Sequence, residues 1–216
     1  MDGSKEIAEK MVSTIGDGDS GWLTGFAEGV LDIPVDFYYL GYDYLDTDHR
    51  WDNENDKYRF IGLIKSDAIT LNNLNRIIQV VFEEYLSKLS EEQKKRLVST
   101  KLGKLFGGIA AKYVIFNGQL GAFFGTKWFM KFGGSLTFTT VLGLGASVSR
   151  AIYTSRELAQ TNPTLYMQLK REGNLDLLYF LVENKMKPYV KALELYDRDR
   201  GLFNEIFDEF TEGLDK

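Results

Sequence analysis

The chain has 216 residues, of which 44% are hydrophobic and 14% aromatic, and these values exclude an intrinsically disordered protein. It contains no cysteine, which excludes a disulfide framework and a thiolate metal site. Its first residues, MDGSKEIAEKMV, lack the apolar core of a signal peptide. A helical pattern this close to the start favours a domain cut from a longer polypeptide.

Apolar spacing predicts helices in the first part of the chain. One helix covers residues 4–15 and is followed by GDGDSG, which we interpret as a Gly/Asp turn rather than a Ca²⁺ or phosphate site. A second helix covers residues 22–45 and is interrupted near Pro34. Between residues 60 and 85, apolar side chains recur at intervals of three and four, which is the helical period.

Further helix boundaries are predicted later in the chain. Ser90 followed by Gln93 predicts a capping box that begins a new helix. A short helix begins at Pro163, residues 174–196 form one long amphipathic helix kinked or broken near Pro188, and LFNEIFDEF is a last helix. Neither a repeat of about 20–50 residues nor a low-complexity linker divides the chain. We therefore predict an all-α fold with one domain over the whole chain.

Charge is distributed unevenly along the sequence. The chain has 26 basic and 31 acidic residues, but residues 93–156 contain ten basic residues and no acidic one, so the remainder has a net charge of −15. The ten are Lys94, Lys95, Arg96, Lys101, Lys104, Lys112, Lys127, Lys131, Arg150 and Arg156. This basic window is also the most apolar and Gly-rich part of the chain. It therefore favours an anionic membrane surface over nucleic acid, which binds to polar faces rich in Lys and Arg.

Two apolar segments inside the basic window predict a helical hairpin. Residues 105–126 are interrupted only by Lys112, and residues 132–149 contain 18 positions without a charge. A helix of 18 residues is about 27 Å long, close to the thickness of a bilayer's hydrocarbon core. The short connection KWFMK supplies a cationic, aromatic tip of the kind found at membrane interfaces. We expect an apolar, Gly-rich hairpin over residues 105–149, buried in the water-soluble protein.

Small residues recur at helical spacing on both legs of this hairpin and would let helices approach closely, in lipid or in water. Ten glycines lie between residues 103 and 145. Each costs about 1 kcal/mol of helix stability relative to Ala, a loss that a permanently buried helix has no need to accept. The residues predicted to act in membrane insertion are Gly121, Gly125, Lys127, Trp128, Phe129, Lys131, Ser135, Thr139 and Gly143.

Two alternatives to an inserting hairpin are open. A permanently buried hairpin of an ordinary helical protein is also uncharged and rich in small residues. In addition, residues 136–141, LTFTTV, have the β-branched and aromatic content of a strand. We favour a helix because a lone β-ribbon in a helical protein would leave its edges unpaired.

An enzymatic site is not indicated. The single histidine, His49, lies in DYLDTDHRWDNEND and could act as a general base or a metal ligand, but we interpret residues 43–56 as a polar loop between helices. Counted from Asp46, the segment lacks the Gly and Glu of an EF-hand. The chain also lacks a P-loop, a G-x-S-x-G, an H-E-x-x-H and a dinucleotide-binding motif. We expect no catalytic residue, no cofactor and no metal.

The two apolar segments, their tip and the amphipathic helices around them resemble the channel-forming domains of pore-forming colicins. They are also similar to the wider class of ionophore toxin domains that bacteria deliver to competitors. The likeness is one of layout over residues 105–149 and includes no signature motif. In colicins the hairpin lies near the C-terminus, whereas here residues 150–216 follow it.

The resemblance implies a channel-forming or membrane-depolarising antibacterial toxin, a bacteriocin-like ion channel that is secreted or delivered and is soluble before insertion. Its partners would be a lipid bilayer, preferably anionic, and a cognate immunity protein in the producing cell. The alternative is a helical interaction protein, such as an antitoxin, an immunity protein or an adaptor. Such a protein would bind through its acidic surface and keep the hairpin permanently buried.

Overall fold

Helices account for nearly all regular structure in the computed structural model, which describes residues 3–16, 50–66, 68–101 and 144–215. No strand occurs in these ranges, so the all-α prediction is confirmed for them. In chain order the elements are α1 (Ser4–Gly16), α2 (Arg50–Lys65), α3 (Leu71–Ser87), α4 (Glu91–Ser99), α5 (Leu144–Thr161), α6 (Pro163–Arg171), a 3₁₀ helix (Leu175–Leu181), α7 (Glu183–Arg198) and α8 (Arg200–Leu214).

The start of α4 shows the predicted capping box. The Gln93 backbone N–H donates to the Ser90 hydroxyl at 3.2 Å, and the Ser90 N–H donates to the Gln93 side chain at 2.9 Å. At the start of α3, the Thr70 hydroxyl accepts a bond of 3.2 Å from the Asn73 N–H in the same way. Both caps satisfy N–H groups that have no partner within the helix, so the boundaries follow from local sequence.

The predicted long helix over residues 174–196 is two elements in the structure. A 3₁₀ helix ends at Leu181, α7 begins at Glu183, and Pro188 lies inside α7 rather than at the break. The run LDLLYFLV is apolar at seven of its eight positions, so it has no three-and-four spacing that could define one helical face. All seven residues of the 3₁₀ helix are buried, and burial on every side decides its conformation.

The predicted polar loop at residues 43–56 is also corrected in part, because residues 50–56 belong to α2. Helix formation there is favoured by Asp52 in the first turn, where a carboxylate interacts well with the helix dipole. It is also favoured by the pair of Asp56 and Arg59, three residues apart. The predicted helix at 22–45, His49 and the hairpin as far as residue 143 lie outside the described residues.

Two groups of helices share one hydrophobic core. On one side α1, α7 and α8 pack against one another, and α3 packs on α7. On the other side α5 packs against α2, α6 and the 3₁₀ helix. Helix α3 and the 3₁₀ helix are in contact and join the two groups. This arrangement places α5, which contains the end of the uncharged segment, against three neighbouring elements.

Candidate membrane-insertion segment and its helical anchor

The nine residues predicted to act in insertion lie outside the described residues. They are Gly121, Gly125, Lys127, Trp128, Phe129, Lys131, Ser135, Thr139 and Gly143. The structure does describe the backbone at the end of the second leg, where residues 144–149 form the beginning of α5. For these residues the helix prediction is confirmed. The helix continues without a break past Arg150 to Thr161, so the uncharged segment runs directly into an anchored helix.

The middle of α5 is buried on nearly every side. Six of the seven residues from 149 to 155 are buried, and four of them are polar. The polar four are Ser149, Arg150, Thr154 and Ser155. A buried polar side chain destabilises the folded state unless other polar groups or charges compensate for its lost hydration. The contacts of α5 are therefore partly electrostatic, unlike those of an ordinary core helix.

A buried carboxylate lies at the centre of these contacts. Asp176 of the 3₁₀ helix is 0% exposed and accepts two bonds from the Arg59 guanidinium of α2, at 2.6 and 2.8 Å. The Ser155 hydroxyl of α5 donates to the same carboxylate at 2.7 Å. Both Arg59 bonds come from its Nη2, and charge-assisted bonds of this kind are stronger than neutral ones.

The same arginine is held from two further directions. Its Nε donates to the Asn174 side chain at 2.8 Å, and its Nη1 donates to Asp56 at 2.7 Å. Asn174 adopts a left-handed backbone conformation with φ of 63°, which Asn tolerates better than most residues and which directs its side chain to this contact. Asp56 also accepts a bond of 3.4 Å from Arg156 of α5.

These side chains form one network that joins α5 to α2 and the 3₁₀ helix. Burial lowers the pKa of Arg59, but its bonds and attraction to Asp176 and Asp56 outweigh burial and raise the pKa above the usual value. The guanidinium is therefore fully charged at any physiological pH. We call Asp56, Arg59, Ser155, Arg156 and Asp176 the α5 clamp.

The described cations of the basic window are largely engaged inside the protein. Lys94 pairs with Glu91 at 3.2 Å, and Arg96 pairs with Asp208 of α8. Arg156 belongs to the α5 clamp. Carboxylates from outside the window therefore neutralise part of its charge, and the described part is less basic towards solvent than its sequence suggests.

The basic residue at the base of the second leg is buried. Arg150, one of the ten cations of the basic window, is 3% exposed in the folded protein. Its guanidinium lies 5.7 Å from the centre of the Phe180 ring, a cation–π contact with the 3₁₀ helix. Helix α5 packs against α2, α6 and the 3₁₀ helix, which accounts for the burial of its middle residues.

The described residues offer little support for a ligand-binding groove, a metal site or a membrane-spanning helix. A groove of about 670 Å³ lies between the α3–α4 and α7–α8 junctions. Of its three cations, Lys88 pairs with Glu84, Arg96 pairs with Asp208, and Arg200 donates to the Tyr196 carbonyl and lies over the Tyr196 ring. Within the described ranges, His, Asp and Glu side chains do not gather into a group of three that could hold a metal. None of the helices described is both long and apolar enough to cross a membrane.

Comparison of the chain with protein-family models, curated proteins and solved structures found no match.

Sequence reasoning missed the α5 clamp. One signal was present, since Asp176 is the single charged residue in the apolar run LDLLYFLV and an Asp is almost never fully buried without a partner. Its partner Arg59 lies 117 positions earlier in the chain, which no local pattern could reveal.

Proposed function

We propose that this protein is a channel-forming or membrane-depolarising toxin domain whose apolar segment, residues 105–149, inserts into a bilayer. The observation that carries the proposal is the 18-residue uncharged stretch at 132–149 inside a window of 64 residues without Asp or Glu. The length suits a bilayer's hydrocarbon core, and the absence of carboxylates removes the residues least compatible with an anionic surface.

The helical surroundings support the proposal. The described helices have a core of their own, in which apolar residues from α1 to α8 form one cluster. A protein with such a core can stay folded in water while it carries an apolar segment to a membrane. Because residues 144–149 are the beginning of α5, the end of the second leg already belongs to a helix that packs against the rest of the protein.

Insertion would proceed in three steps. Exposed Lys and Arg side chains are first attracted to anionic lipid, at up to about 1 kcal/mol each. The legs then exchange protein contacts for lipid, and Lys127 and Lys131 at the tip either cross or extend to the interface, an expensive step that needs a membrane potential or a partner. The remaining step is the release of Arg150 from its buried site, which precedes entry of the second leg and lets this side chain reach the headgroups at the base of that leg.

The test is dye release from vesicles with about 25% anionic lipid, at neutral and acidic pH and with an imposed potential. Wild type is compared with Gly143→Asp, which adds a charge to the second leg. The matched control is Gly62→Asp. Gly62 is an exposed residue of α2, and a Cβ added there would have no atom within 4 Å. Circular dichroism checks that both variants are folded.

Release by wild type and Gly62→Asp, with loss in folded Gly143→Asp, is the expected result. Absence of release by wild type under every condition would contradict the proposal. A helical interaction protein with a permanently buried apolar segment would then be the better interpretation.

A further inference from the structure

The α5 clamp has two properties that bear on the release of α5. It joins α5 to elements distant in sequence, since Ser155 is 21 residues from Asp176 and Arg156 is 100 residues from Asp56. It also consists of charged and hydroxyl groups whose bonds water can replace once the contact opens. Arg59 and Asp56 already lie at its edge, with side chains 16% and 18% exposed.

The clamp acts on the helix that follows the uncharged segment. The segment ends at Ser149, and Ser155 is six positions further along the same helix, about 9 Å away at the helical rise. A helix transmits displacement along its axis because its backbone hydrogen bonds hold successive turns together. If residues 132–149 move into a bilayer, α5 must either leave the clamp or bend before it.

We propose that the α5 clamp is the latch that retains the apolar segment in the water-soluble protein, and that it opens before the segment crosses the bilayer. This inference rests on the proposed function and adds how membrane insertion is regulated. Opening separates Ser155 from Asp176 and Arg156 from Asp56 while Arg59 and Asp176 stay paired between α2 and the 3₁₀ helix. The buried Asp176 carboxylate thus keeps its strongest partner after α5 departs, while the core loses the apolar side chains of Ala151, Ile152 and Leu158.

The first test ties α5 to α2 covalently. The chain has no cysteine, so the double variant Asp56→Cys with Arg156→Cys can be bridged specifically by a short bismaleimide. The control pair is Gln93→Cys with Asn204→Cys, which ties α4 to α8 where the native side chains meet at 3.0 Å. Dye release from anionic vesicles is measured for the full-length protein before and after bridging.

We expect the α2–α5 bridge to abolish dye release and the α4–α8 bridge to leave it unchanged. Equal release by bridged and unbridged α2–α5 protein would overturn the latch while the proposed function stands, since the chain would then bend ahead of α5. Absence of release by wild type would overturn the proposed function and the latch with it.

The second test weakens the latch without removing a charge. Ser155→Ala deletes the hydroxyl that bonds to Asp176, and we expect release to become faster by about tenfold, the effect of losing one bond to a charged group. Thr161→Ala on the same helix removes a hydroxyl bonded to the Glu157 carbonyl and should not change the rate. Tyr189→Phe controls for a general loss of stability, because it removes one buried hydrogen bond remote from α5. An equal acceleration by Tyr189→Phe would overturn the latch.

Discussion

The two sides of the molecule are held together by different forces. Between α1, α3, α7 and α8, the contacts are dry and aromatic: the Tyr85 and Tyr189 rings lie 5.6 Å apart at 83°, and Phe210 lies edge-on to both. Burial of these rings is collectively strong, and their edge-to-face geometry adds to it. Between α5, α2 and the 3₁₀ helix, apolar side chains such as Ile152 and Phe180 are buried as well, but charged groups add bonds of defined geometry.

The difference indicates which side can open. Separating the aromatic side would expose large apolar surfaces to water, with no compensation. Separating the polar side would also expose the buried Ala151, Ile152 and Leu158 of α5, but it exchanges charged bonds for bonds to water, so its free-energy cost depends in part on single groups. A protein that must stay folded in water and release one helix at a membrane would place that helix on the polar side, where α5 is found.

The largest expected effect lies on the aromatic side. Phe210→Ala should lower the free energy of unfolding by about 3–5 kcal/mol, because it leaves a cavity beside Tyr85 and Tyr189. Denaturant unfolding followed by circular dichroism measures the change. Met167→Ala, at a side chain 42% exposed, is the control and should change stability by less than about 0.5 kcal/mol. A loss below about 1 kcal/mol in Phe210→Ala would show that this side is not tightly packed.

Asp176→Ala tests the polar side. It should lower the free energy of unfolding by about 3 kcal/mol, because Arg59 loses its main partner within a buried contact. The double variant Arg59→Met with Asp176→Leu should lower the free energy of unfolding by less than Asp176→Ala alone, because it does not leave the Arg59 charge without its main partner. The same unfolding measurement applies. If the double variant is as damaging as the sum of its single changes, the two residues do not act as a pair.

A close approach between α1 and α8 gives an effect of intermediate size. A Cβ added at Gly213 would lie 2.7 Å from Val12 Cγ2. Gly213→Ala should therefore destabilise the folded protein by about 1–2 kcal/mol, although Ala has a higher helix propensity than Gly. Adding Val12→Ala should restore part of that loss. Gly62→Ala, where nothing lies within 4 Å, should instead stabilise by up to about 1 kcal/mol. Destabilisation by both glycine substitutions would contradict this explanation.

The smallest effects separate two neighbouring tyrosines. The Tyr189 hydroxyl donates to the Met11 carbonyl at 2.8 Å, so Tyr189→Phe should cost about 1 kcal/mol. The Tyr85 hydroxyl is buried and has no hydrogen-bond partner among the described residues, so Tyr85→Phe should be neutral or stabilising. Thermal unfolding of both variants measures the difference, and the opposite order would contradict the assigned bonds.

Burial raises the pKa of Tyr85, Tyr179 and Tyr189 above the usual value. These tyrosines therefore ionise first in the unfolded chain, and stability that is fully present below about pH 10 should fall as the pH rises further. At about pH 11, Tyr85→Phe should lose about 1 kcal/mol less stability than wild type. An identical loss in both proteins would show that Tyr85 ionises in the folded state.

The predictable parts of this fold are those encoded locally. The capping box at Ser90 and the start of α6 after Asn162 depend on adjacent residues, and both agree with the prediction. The break at Val182 could not be predicted, because the residues before it are apolar without periodicity and their conformation depends on tertiary burial. The α5 clamp depends on partners far apart in sequence, so only its buried Asp176 gave a local signal.

The most direct measurement of the central claim is the environment of the apolar segment at a membrane. The variant Thr139→Cys, whose new cysteine is the only one in its chain, is labelled with a polarity-sensitive fluorophore and mixed with anionic vesicles. The reference is Glu212→Cys, at an exposed position of α8. If the segment inserts, the emission of the fluorophore at residue 139 should shift to the blue and should be quenched by lipid-attached nitroxides. The emission of the fluorophore at residue 212 should show neither change. Unchanged emission at residue 139 in vesicles that bind the protein would contradict insertion.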